Sequence, residues 1–134
     1  MAVQKTVIKA DHLRAVVHLY ASAAGDSSTI TLNELMSSDE TSSSSIALSV
    51  SIANAYSNSP ATADSSITVR RGTSSGIVVL DLHGFTEFPG GQQLPALAMG
   101  STSSIFVSFE ASGMLILDLR KLAGFNSPNY NVGV

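Results

Sequence analysis

A chain of 134 residues has room for one ordinary domain, and its 44% hydrophobic content argues against disorder for want of apolar surface. Charged residues make up only 13%, and seven Lys and Arg stand against ten Asp and Glu for a net charge of −3. The basic residues are scattered, so no patch offers to neutralise phosphates, which argues against a nucleic-acid partner.

Cysteine is absent. Disulfides, thiolate metal sites, Fe–S clusters and cysteine nucleophiles are therefore excluded. The start, Met1 to Lys5, lacks the apolar core of a leader. No apolar run approaches the roughly 18 residues of a spanning helix. The expectation is a soluble chain with no membrane partner. Serine is over-represented: 23 Ser and 9 Thr form nearly a quarter of the chain. These side chains solvate a surface without charge and favour turns over helix interiors. A surface so lightly charged repels a neighbouring copy only weakly.

Residues 1–10, with Val3, Val7 and Ile8, read as an N-terminal arm or an extra strand. Over 11–21 the apolar period is two, the signature of a half-buried strand. Leu13, Ala15, Val17, Leu19 and Ala21 form the expected core face, opposite His12, Arg14, Val16, His18 and Tyr20. Thr31 to Glu34 has capping-box spacing, but a strand end and turn is the preferred reading. The serine run 41–45 reads as a loop or edge. Alternation returns at Ile46, Leu48, Val50 and Ile52, then at Ile67 and Val69. Gly72 to Gly76 is a turn. The next strand, 77–83, is expected to point Val78, Leu80 and Leu82 inward, and Asp81 and His83 outward. A long loop follows from Phe88. Ile105, Val107 and Phe109 alternate, as do Leu115, Leu117 and Leu119. Ala111-Ser112-Gly113 between these two strands reads as a tight hairpin, with Gly113 at positive φ.

Seven or eight short strands in one domain predict an all-β fold, an antiparallel β-sandwich of jelly-roll or immunoglobulin-like topology, with extended N- and C-terminal segments. The domain layout expected is an arm or extra strand over 1–10, a sandwich over 11–122 and a C-terminal arm over 123–134. That last segment holds no charge and two aromatics, Phe125 and Tyr130. Two readings fit this composition: a free terminus, or an arm that packs on a neighbouring subunit through Phe125 and Tyr130.

Candidate chemistry is sparse. His12 and His18 lie about 20 Å apart along a strand, too far for one ion. Asp81 and His83 are neighbours on one strand face, which is two parts of a Ser-His-Asp arrangement, but no Gly-x-Ser-x-Gly elbow accompanies them. No phosphate loop or calcium loop occurs. The absence of Trp weakens a glycosidase or sugar-binding reading, for which Tyr20, Tyr56, Phe85 and Phe88 are the available aromatics. No cofactor, metal site or enzymatic activity is expected.

Three stretches carry a resemblance: Met1-Ala2-Val3-Gln4-Lys5-Thr6-Val7-Ile8-Lys9 leading into Arg14-Ala15-Val16-Val17; Ile67-Thr68-Val69-Arg70-Arg71 before Val78-Val79-Leu80-Asp81-Leu82; and Gly113-Met114-Leu115-Ile116-Leu117-Asp118-Leu119-Arg120-Lys121. With the Gly-Phe-Asn-Ser-Pro tail, this layout resembles small virion structural proteins of tailed bacteriophages, particularly those of marine and cyanobacterial hosts. The resemblance implies a virion component without enzyme activity and transfers no site residues. The leading expectation is a capsid decoration (cement) protein, oligomeric, bound to the major capsid protein. A neck or tail accessory protein and a displayed host- or glycan-binding module are the alternatives. Candidate subunit contacts are Val3 and Val7 at the start, and Phe125, Tyr130 and Val132 in the tail. Deleting 123–134 is expected to weaken assembly and leave the sandwich folded.

Overall fold

The computed structural model describes residues 3–11, 13–23, 25–37, 40–42, 46–59, 66–88 and 102–126. Among these the chain is all β apart from one turn of 3-10 helix. The strands are β1 (Gln4–Ala10), β2 (Arg14–Ala21), β3 (Ser27–Ile30), β4 (Thr41–Ser42), β5 (Ser49–Asn58) and β6 (Ser66–Arg71). They continue with β7 (Ile77–His83), β8 (Thr86–Phe88), β9 (Ile105–Phe109), β10 (Gly113–Ala123) and β11 (Phe125–Asn126). Sheet I has the order β1-β2-β10-β5-β8, and sheet II the order β3-β9-β6-β7. A two-stranded ribbon, β11-β4, stands apart.

This order decides between the two sandwiches that the sequence left open. β2 pairs with β10, β3 with β9, β5 with β8 and β6 with β7. That is one long antiparallel hairpin, closed at the β6–β7 turn and rolled up so that its arms lie in two sheets. Lateral pairing of β10 with β5 and of β9 with β6 completes the roll. The result is the eight-stranded double Greek key of a jelly roll. β1, over Gln4–Ala10, is an added strand beside β2. Its Lys5 points inward at the edge, where Nζ donates to the Thr29 carbonyl and to Glu34, 2.7 Å each. An inward-pointing lysine of this kind hinders pairing with another chain's edge.

The core lies between the sheets. Ala15, Val17, Leu19 and Ala21 of β2 are fully buried, as are Ile67 and Val69 of β6, Ile105 and Val107 of β9, and Leu115, Leu117 and Leu119 of β10. Alternation identified all of these. Leu13 is different: it sits in the β1–β2 turn and is 52% exposed. The 3-10 turn, Leu32–Leu35, has no side-chain cap despite its spacing, and it buries Leu32 and Leu35 directly after β3.

Bulges account for the other departures. In the β6–β7 pairing Val69 faces Leu80 and Arg70 faces Val78, so Val79 is an extra residue. One extra residue inverts the inside-outside phase. Val79 is therefore buried beside Leu80 and Leu82, and Val78, expected inward, is 43% exposed. In β5 the extra residue is Ala53: buried positions run Val50, Ile52, then Ala55 and Ser57.

The expected hairpin at 111–113 is absent. β9 and β10 lie in different sheets, so this segment crosses from one to the other. Gly113 has no positive φ. Its lack of a side chain serves close approach instead: a Cβ there would stand 2.9 Å from the Asn58 carbonyl oxygen.

The turn between β1 and β2 has its own electrostatic lock. The Asp11 carboxylate accepts the backbone N–H groups of Leu13 and Arg14, at 2.9 and 2.8 Å. These bonds, with Lys9 nearby, hold the carboxyl below its ordinary value of 3.8. A depressed carboxylate contributes stability above its unfolded pKa, and the contribution fades as pH falls through the folded value. Asp11→Ala is thus expected to destabilise the fold at pH 6, with the gap from the parent closing below pH 3.8. Urea midpoints across that range measure it, and a pH-independent gap would contradict it.

Candidate interaction face

The outer surface of sheet I is built by the second phase of the alternating strands. Cross-strand register places its residues in rows. Gln4, Tyr20, Met114 and Asn58 form one row; Thr6, His18, Ile116 and Tyr56 form the next. Over β1, β2, β10 and β5 neither row contains Asp, Glu, Lys or Arg, and the second row continues onto β8 at Glu87, opposite Tyr56. Tyr20 is 42% exposed and Tyr56 38%, with Met114 and Ile116 half-buried between them on β10. A hollow of about 420 Å³ opens at the end of the first row, lined by Tyr20, Asn58, Ser59, Ser112, Gly113 and Met114.

Along β2 and β10 charge begins one row further on. Val16, Asp118 and Asn54 are aligned there, followed by Arg14 opposite Arg120. Arg14 grips Asp118 with two parallel bonds: Nε donates to Oδ1 at 3.0 Å and Nη2 to Oδ2. Asn54 Nδ2 donates to the same Oδ2 at 2.8 Å. The Asp118 side chain is only 8% exposed, so these donors replace its water. A second hollow, about 360 Å³, is lined by Leu13, Arg14, Ala53, Asn54 and Arg120.

Two further polar groups are internal. Lys121 and Glu40 form an ion pair with side chains 0% and 1% exposed. Glu40 also accepts the Ser37 N–H, and Lys121 Nζ donates to the Asp11 carbonyl. Arg71 is buried between the sheets, where its guanidinium donates to the Val50 and Ser103 carbonyls. Burial pushes it down to about 10, so it remains charged at neutral pH.

The sequence-derived candidates are scattered. Val3 and Val7 are partly buried against the chain's own core. Phe125, expected on an arm, is 0% exposed in that core, with Lys121 Nζ 4.8 Å from its ring centre. Its side chain is already spent within the subunit, which corrects its assignment as a subunit contact and places the start of the expected arm, 123–126, in the fold. Tyr130 and Val132 lie outside the described residues. Asp81 and His83 do meet, Oδ2 to Nε2 at 3.8 Å, with both side chains about half exposed. Neither lines either of the two hollows of sheet I. No group of three or more His, Asp or Glu suited to a metal occurs among the described residues. Sequence reading passed over Met114 and Ile116. Their signal was available, because both are large apolar residues on the outward phase of β10.

The fold and face together define a jelly-roll domain with one broad outer sheet surface that is uncharged over two rows of its four strands β1, β2, β10 and β5 and ionic at one end. No family model matches the chain, and no curated protein or solved structure matches it.

Proposed function

We propose that the chain is a structural protein of a phage virion, a capsid decoration protein that docks on the major capsid lattice. The observation that carries this reading is the outer face of sheet I. Tyr20, Met114, Ile116 and Tyr56 present apolar and aromatic surface across β2, β10 and β5, with Glu87 of β8 at its border, which suits a protein interface. Jelly rolls recur in capsid and lectin domains, an analogy of fold alone. Function on this reading is binding energy, and the Asp81–His83 pair lies outside the two hollows of sheet I.

Quantitative mass spectrometry of purified particles, scaled to the major capsid protein, tests the reading. Hundreds of copies are expected. A few to a few dozen would move the chain to a neck or tail position, and absence from particles would overturn the virion role. The Tyr20 hollow favours one second reading, a glycan-binding module displayed on the particle. Retention on immobilised glycans that is lost in Tyr20→Ala would support it.

A further inference from the structure

We infer that the hollow between Arg14 and Arg120 is a carboxylate-binding site that receives an acidic side chain of a protein partner. The inference rests on reading this sheet face as a docking surface.

Register puts Arg14 and Arg120 directly opposite each other on β2 and β10. Like charges so placed destabilise a sheet. Asp118, one row away, satisfies Arg14 alone. None of the ion pairs among the described residues includes Arg120. Two guanidinium groups and one carboxylate leave a local charge of +1 on a chain whose net charge is −3. The bulge at Ala53 lies beside this pair and shapes the wall of the hollow. Bulges often re-aim side chains next to functional sites. The Arg120 fork matches the geometry of a carboxylate, and Arg14 is held in place by its own carboxylate partner. The rest of the lining is aliphatic or amide: Leu13, half exposed at the rim, with Ala53 and Asn54. Among the described residues no aromatic ring lines it for a sugar to stack on, so charge and lining together favour a Glu or Asp side chain over an acidic glycan.

The test is an NMR titration of the full chain with N-acetylglutamate methylamide, the neutral glutamine analogue and glucuronate. Saturable shifts at Leu13, Ala53, Asn54 and the two arginine Nε–H groups are expected with the glutamate compound only. Arg120→Gln, a substitution at an exposed position, is expected to weaken the response roughly two- to fivefold, with the spectrum otherwise unchanged. Arg120→Lys should restore part of it. Equal shifts with the glutamine analogue, no shifts, or an unaltered response in Arg120→Gln would overturn the site. A stronger response to glucuronate would overturn the protein partner. Sedimentation of both proteins with purified particles separates the two readings. Failure of the parent chain to bind particles counts against decoration alone. Undiminished particle binding by Arg120→Gln, with the NMR response lost, counts against this hollow as the docking contact.

Discussion

Phe125→Ala is expected to lower the free energy of unfolding by about 3–5 kcal/mol, the range for truncating a fully buried aromatic ring. Phe125 has no exposed surface and belongs to the main core. The backbone turns into that position at Gly124, where φ is +85° and a Cβ would stand 2.8 Å from the Ala47 carbonyl oxygen. β11 then pairs with β4, with Phe125 opposite Ser42. Burial, turn and pairing all hold the ring inside. Ending the chain after Leu122 should therefore cost at least as much as the point substitution, in contrast to the expectation that removing 123–134 spares the sandwich. Urea denaturation of both variants gives the answer. A loss under about 1 kcal/mol for Phe125→Ala would return the residue to the surface and revive the arm.

The second large effect concerns Glu40 and Lys121, whose side chains are almost wholly excluded from water. Removing either partner leaves the other charge buried and uncompensated, at about 3–5 kcal/mol. Glu40→Leu and Lys121→Met are each expected to fall in that range. The double variant should recover most of the loss, because an apolar pair of similar volume incurs no desolvation penalty. Glu40 makes the sharper single test. Its Oε1 holds both Lys121 and the Ser37 N–H, and its Oε2 is buried without a hydrogen bond among the described groups. A double variant no better than the sum of the singles would show that the pair contributes mainly through shape. Lys121 also lies over the Phe125 ring, so these variants and Phe125→Ala should not add independently.

The core was legible because alternation needs nothing beyond the neighbouring residue. Val17 and Leu117 announce their side of the sheet in sequence, and both are buried. What alternation cannot announce is an extra residue. Val78 and Val79 are chemically identical, and only the partner strand determines which of them points inward. Nor does it reveal which strand is the neighbour: β9 and β10 are consecutive, yet they belong to opposite sheets. The candidate face was half visible, since Tyr20 was placed opposite the expected core face and Ile116 falls between the inward Leu115 and Leu117. Their adjacency was not, because it depends on β10 lying between β2 and β5. The same distance problem hid the Lys121–Glu40 pair, which joins residues 81 positions apart. Phe125 misled for a different reason. An uncharged aromatic tail has the same composition whether it docks on a neighbour or on its own core.

The rolled hairpin also sets an order of events at the ribosome. Ala21 finds its partner in Gly113, and Arg14 its partner in Arg120. The β2 edge therefore waits for a stretch on the order of a hundred residues, about 5–20 s of synthesis. The β1–β2 hairpin is local and emerges first, with Ala10 opposite Ala15, but within the roll itself the β6–β7 turn is the most local contact, and its closure draws the two arms together from the middle of the chain outward. Pairings of such high contact order are slow. Until β10 emerges, β2 exposes an apolar face and an unpaired edge, so the nascent chain depends on fast elongation or chaperone cover more than the finished domain does.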